Sequence, residues 1–68
     1  VIVWQDNRNE NWDIYLYDRN VEKEKAICIE SGDQTMPRMI FDGRTGSIVW
    51  EDSRRGDKDI YIYENYMS

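Results

Sequence analysis

The chain has no histidine, a single cysteine and a single proline among its 68 residues. Without histidine it lacks the commonest metal ligand and the usual general base near neutral pH. With Cys28 as the only thiol, no intrachain disulfide can staple the fold. Its longest apolar runs are three or four residues, whereas a helix crossing a bilayer needs about 20. No stretch has the charged start, apolar centre and small-residue end of a secretion signal. Because the opening residues already belong to a repeated unit, the start of the parent protein is expected upstream of Val1. Basic residues are outnumbered, 9 against 14, for a net charge of −5. The acids are scattered rather than gathered in a tail, and the absence of a basic face argues against nucleic-acid binding. A chain this short makes one small domain that buries only about 60% of its unfolded surface, so it calls for a staple or a partner.

What is present is a phrase written twice. Residues 6–17 read DNRNENWDIYLY and residues 52–63 read DSRRGDKDIYIY. At an offset of 46, Ile2, Val3, Trp4, Asp6, Arg8, Asp13, Ile14, Tyr15 and Tyr17 fall on identical residues, nine identities over the first seventeen positions. One agreement would be expected by chance, so the pattern indicates duplication. The period is near the roughly 40–50 residues of propeller blades and of helical HEAT or armadillo arrays. Strand and helix must therefore be told apart.

Alternation settles the choice. DIYLYD (13–18) places Ile14 and Leu16 on one face and Tyr15 and Tyr17 on the other, and DIYIYE (59–64) does the same. β-Branched and aromatic residues in short runs bounded by turn formers indicate strands, and apolar residues on both faces indicate strands covered on two sides. The same reasoning predicts strands at 2–5, 26–30, 38–42 and 47–51, with a tight turn at Asp42-Gly43-Arg44-Thr45-Gly46 between two of them. No segment sustains the three-four spacing of an apolar helix face. The predicted fold is all-β, built from antiparallel four-stranded meanders of the kind that form propeller blades. By this count residues 1–36 supply the second to fourth strands of one blade plus a linker. Residues 37–68 supply the first to third strands of the next.

The phrase I-V-W-x-D-x-R-x(4)-D-I-Y-x-Y, with SGDQTMPRMIFDGRTGSIVWED between its copies, resembles the TolB-like family of β-propeller repeats. The resemblance covers essentially the whole chain, and the duplicated phrase is its specific part. It implies a closed propeller acting outside the cytoplasm (extracellular, at the cell surface or in the periplasm) in binding or scaffolding. The first copy departs from the second by carrying Glu10 where Gly56 stands, which is expected to alter that loop. About one and a half blades are incomplete in a single chain. The chain is therefore expected to assemble with copies of itself, as a homo-oligomer, or to be completed by the missing blades of a longer propeller.

The acids of the first loop are spaced D-x-R-x(4)-D. As calcium ligands they would need the D-x-D-x-D-G order of an oxygen-rich loop, but Arg8 stands where a ligand belongs. A structural clip fits better, with Arg8 bridging Asp6 and Asp13, and Arg54 bridging Asp52 and Asp59, because a planar guanidinium matches carboxylates. No metal or other cofactor is expected. Trp4 and Trp50 recur at equivalent positions, which favours packing between blades over a sugar-stacking platform. Trp12 has no aromatic twin, since Lys58 occupies its place, so it is the candidate ligand-binding residue. Ser31, Ser47, Ser53 and Ser68 have no histidine to activate them, the acids sit in turns, and Cys28 alternates with Ile27 and Ile29 as a small core residue. The expected function is a non-enzymatic propeller repeat module for protein or glycan binding or surface scaffolding. The alternative is a piece of the propeller domain of a larger enzyme such as a peptidase.

Overall fold

A computed structural model describes residues 1–43 and 45–67, with the backbone alone for residue 42 and for residues 65–67. Arg44, in the predicted turn, and Ser68, at the end of the second predicted unit, lie outside the described residues. The protein is all-β. Strands β1 (Ile2–Asp6), β2 (Asp13–Asp18) and β3 (Lys23–Cys28) form one antiparallel three-stranded sheet in the order β1-β2-β3. Strands β4 (Gln34–Asp42), β5 (Thr45–Arg55) and β6 (Asp57–Met67) form a second in the order β4-β5-β6. Among the described residues no helix is long and apolar enough to cross a membrane.

Five of the six strands differ in their bounds from the sequence expectation. β1, expected at 2–5, gains Asp6, and the strands expected at 47–51 and 59–64 extend along their shared ladder to Thr45–Arg55 and Asp57–Met67. The third and fourth differ for local reasons. The third strand, expected at 26–30, runs Lys23–Cys28. Asp18 accepts the backbone N–H of Asn20 at 2.8 Å and Glu22 adopts φ +52°, closing a tight turn that commits Lys23 to pair with Asp18 at once. The fourth strand begins at Gln34 and passes through Pro37. The register shifts between Thr35 and Arg38, and Met36 lies at φ +57°. A proline has no N–H to give a ladder, so an edge strand with a bulge is where a sheet tolerates it.

The two hairpins share one register. Ile2, Val3, Trp4, Gln5 and Asp6 pair with Tyr17, Leu16, Tyr15, Ile14 and Asp13. Ile48, Val49, Trp50, Glu51 and Asp52 pair with Tyr63, Ile62, Tyr61, Ile60 and Asp59. Each sheet therefore has an Ile face, lined in the first by Val3, Gln5, Ile14 and Leu16. Each also has a Trp face, lined in the second by Ile48, Trp50, Asp52, Tyr61 and Tyr63. The Ile face of the first sheet packs on the Trp face of the second. The core is Ile14, Leu16, Cys28, Ile48 and Trp50, with Val3, Ile27, Met39, Tyr61 and Tyr63 against it. Burying such side chains contributes about 25 cal/mol per Å² of apolar surface removed from water.

The sheets are also stitched through polar atoms. Gln5 Oε1 accepts the Met36 N–H at 2.9 Å, which satisfies a donor that the bulge releases from the ladder. Lys25 Nζ reaches Tyr63 Oη at 3.4 Å. The connecting segment is held by backbone bonds from Gln34 N to Trp12 O (2.7 Å) and from Ser53 N to Asp33 O (2.9 Å). Gly32, in that segment, has φ +74°, and a Cβ there would lie 2.9 Å from backbone atoms of Ser53 and Arg54. No other residue fits that approach.

Candidate functional site

Each hairpin ends in the same cluster. Trp4 Nε1 donates to Asp6 Oδ2 at 3.0 Å, and Trp50 Nε1 donates to Asp52 Oδ2 at 3.0 Å. Arg8 donates its backbone N–H and Nε to Asp6 Oδ1 at 2.9 and 3.0 Å, and Arg54 does the same to Asp52 at 2.9 and 3.0 Å. A further bond runs from Nη2 to Oδ2, 2.9 Å in the first and 2.7 Å in the second. The guanidinium lies over the ring of the tyrosine across the ladder, 4.0 Å from Tyr15 and 4.1 Å from Tyr61, and that ring stacks on the tryptophan. Cation, ring quadrupole and carboxylate thus reinforce one another.

The structure departs from the expected clip in the second acid. Arg8 Nη1 reaches Glu24 on β3 at 2.6 Å rather than Asp13. Asp13 is buried, its Oδ2 accepts Asn9 Nδ2 at 3.1 Å, and its Oδ1 has no hydrogen-bond donor among the described residues. In the second copy Arg54 Nη2 reaches Cys28 Sγ at 3.1 Å, while Asp59 is exposed and pairs with Asp52 through the ladder. The reason is geometric. Asp6 and Asp13 face each other as ladder partners, and Asp6 already takes the fork of Arg8, so Arg8 Nη1 is left for the neighbouring strand, whereas Arg54 Nη2 serves both Asp52 and Cys28.

The loops themselves converge more than expected. Glu10 has φ +81° and donates its N–H to Asn7 O at 3.1 Å, while Gly56 has φ +102° and donates to Ser53 O at 2.9 Å. The exchange of glutamate for glycine therefore leaves the positive φ and the four-residue turn in place, and Glu10 carries the strain.

The clusters are electrostatically saturated. Hydrogen bonds from Arg8 and Trp4 hold the Asp6 carboxyl well below the usual carboxylate range, and Asp6 and Glu24 raise the Arg8 guanidinium. At Asp52 burial pushes the carboxyl up, but the bonds from Arg54 and Trp50 outweigh it and leave it at about 2. Burial raises the Cys28 thiol, against the pull of the Arg54 charge. These carboxylates are occupied acceptors, unsuited to proton transfer near neutral pH.

Trp12 lies elsewhere. It lines a cavity of about 260 Å³ with Asp33, Thr35, Glu51, Asp52, Ser53 and Lys58. Its backbone N–H donates to Asp33 Oδ1 at 3.1 Å, and Asp33 N donates to Ser53 Oγ at 2.9 Å, so the connecting segment fixes one wall. Lys58 Nζ lies 3.3 Å from Glu51 Oε1, and both residues line the cavity. Sequence reasoning singled out Trp12 but missed Asp33, Glu51 and Lys58. Asp33 precedes β4, Glu51 lies on β5 and Lys58 on β6, so pairing within the second sheet gathers them, and Trp12 joins them from the first sheet's loop. Lys58, read there only as the residue aligned with Trp12, lines the same cavity. Among the described residues no three His, Cys, Asp or Glu side chains converge as a metal donor set. No family model, curated protein or solved structure matches the chain.

Proposed function

We propose that the chain is a non-enzymatic repeat module of a TolB-like β-propeller, each sheet being part of a four-stranded blade, and that its Trp12 cavity binds a glycan. Two sheets stacked face to face, with one hairpin register and one Trp–Asp–Arg–Tyr cluster in each, support the blade reading. The carrying observation for binding is that Trp12, the one tryptophan without a twin, lines a cavity together with Asp33, Glu51 and Lys58. A sugar ring offers an apolar face for an indole and equatorial hydroxyls for carboxylates and ammonium, and this lining supplies all three. The family resemblance extends the proposal to a location outside the cytoplasm, at the cell surface or in the periplasm.

A glycan array followed by tryptophan fluorescence titration tests it. Trp12→Ala is expected to lose binding at least about tenfold, the equivalent of about 1.4 kcal/mol, with the far-ultraviolet β-signal unchanged. Equal binding by wild type and Trp12→Ala would refute the assignment.

A further inference from the structure

Four large apolar positions of the two sheet faces occur twice in this chain, once buried and once more open to solvent. On the Ile face, Ile14 and Leu16 are 0% and 1% exposed, whereas their twins Ile60 and Ile62 are 73% and 52% exposed. On the Trp face, Ile48 is 0% exposed and Trp50 is buried, whereas their twins Ile2 and Trp4 are 56% exposed and half-buried. The covered set is covered by one contact alone, the Ile face of the first sheet on the Trp face of the second. The bare set is the same pair of faces in the same register, looking outward at opposite sides of the stack.

From this we infer that the chain binds a second copy of itself head to tail, the Ile60/Ile62 face of one copy docking on the Ile2/Trp4 face of the next. The inference rests on the blade-repeat reading and names its partner. The internal sheet contact is the template. Val49, Ile60 and Ile62 present what Val3, Ile14 and Leu16 present inside the chain, and Ile2 and Trp4 present what Ile48 and Trp50 present. The receiving face also carries the same guanidinium-capped tyrosine, Arg8 over Tyr15 in place of Arg54 over Tyr61. On the Ile face a recess of about 230 Å³ opens between Met36, Arg38, Val49 and Ile60. Because the two surfaces differ, the contact is heterologous. Such contacts close into rings or run on as filaments, whereas a like-with-like contact stops at a dimer.

Complementation measured by sedimentation discriminates these cases. Ile60→Asp blocks the docking face and Ile2→Asp blocks the receiving face. Both positions are more than half exposed, so the fold of each variant is expected to survive, as checked by circular dichroism, with Ile60→Lys and Ile2→Lys as substitutes if it does not. Wild type is expected to sediment as a multimer, each variant alone as a monomer, and an equimolar mixture as a dimer, since each variant retains the face the other lacks. A mixture that stays monomeric overturns the inference, and so does a single variant that still self-associates, because its contact would then be like with like. That last result leaves the blade reading standing, whereas a wild type monomeric at tens of micromolar protomer overturns the docking and the module's need of a partner together. Glycan binding through Trp12 is scored separately and is moved by neither variant.

Discussion

Replacing Asp52 by asparagine is the sharpest test of how the Trp–Asp–Arg–Tyr cluster holds the second sheet. The Asp52 side chain is 0% exposed and accepts from Trp50 Nε1, Arg54 Nε, Arg54 Nη2 and the Arg54 backbone N–H. Asparagine keeps the shape but removes the charge and turns one acceptor into an N–H₂ group, which must face the Trp50 or Arg54 donors. The gap between the ordinary 3.8 and about 2, at about 1.4 kcal/mol per pH unit, amounts to about 2 kcal/mol of stability tied to ionisation. Because the folded value is depressed, that contribution is complete above the unfolded value of 3.8 and is lost as pH falls through about 2. Urea unfolding of both proteins at one protomer concentration, from pH 7 to about pH 1.5, should show a difference of about 2 kcal/mol or more that shrinks across this window. At low pH both side chains are neutral and each carries a donor, so any difference that remains is that between amide and carboxylic acid. For a fold with the thin margin of a 68-residue chain this is a large effect. A difference that stays flat from neutral pH to the acid end would refute the claim that the carboxylate charge holds the cluster.

The two arginines should respond unequally. The Arg8 side chain is 44% exposed and that of Arg54 is 25% exposed, so Arg8→Ala is expected to lower the melting temperature less than Arg54→Ala. Its effect should also fade in high salt, where exposed pairs are screened. Equal shifts with equal salt dependence would contradict this. Glu10→Gly is expected to stabilise the protein, because relieving a left-handed glutamate gains about 1–2 kcal/mol and the added chain entropy takes back about 0.5–1. The urea midpoint should rise with the slope unchanged, and a lower midpoint would mean that the Glu10 side chain makes a contact worth more than its strain.

Much of the fold was legible because strands announce themselves locally. DIYLYD is a strand in sequence and in structure with the same bounds, 13–18, since its alternation and its flanking turn residues act within a few positions. What was not legible depended on partners distant in sequence. The third strand moved toward its charged residues because the turn after Asp18 sets the register, so Ile29 was left outside it and exposed. The strand expected at 38–42 starts before Pro37, and only the bulge with its Met36–Gln5 bond explains how it passes the proline. In the clip, Asp6 lies two residues from Arg8 and was foreseeable, whereas Glu24 lies sixteen residues away on another strand. The tryptophans were expected as packing wedges, yet the W-x-D spacing also lets each indole donate to the carboxylate two residues on. The repetition of that spacing, with a tyrosine opposite in both copies, was the available signal.

The two clusters also separate what is encoded locally from what the environment adds. Four bonds among residues two apart recur with distances matching to within 0.2 Å, although one cluster faces outward and the other is covered by the first sheet. Their geometry therefore belongs to the hairpin and does not wait for the core. Their energetic worth does depend on the core, because the same carboxylate in a drier place holds its partners against less competition from water. This division frees the loop beyond the clip. With the hairpin end closed by Asp and Arg, residues 9–12 and 55–58 can change without unpairing the strands, and they differ at all four positions. Trp12 and Lys58 stand at matching places just before β2 and within β6, and both line one cavity. The invariant clip supplies the rigid frame, and the variable loop residues it releases supply the chemistry at its mouth.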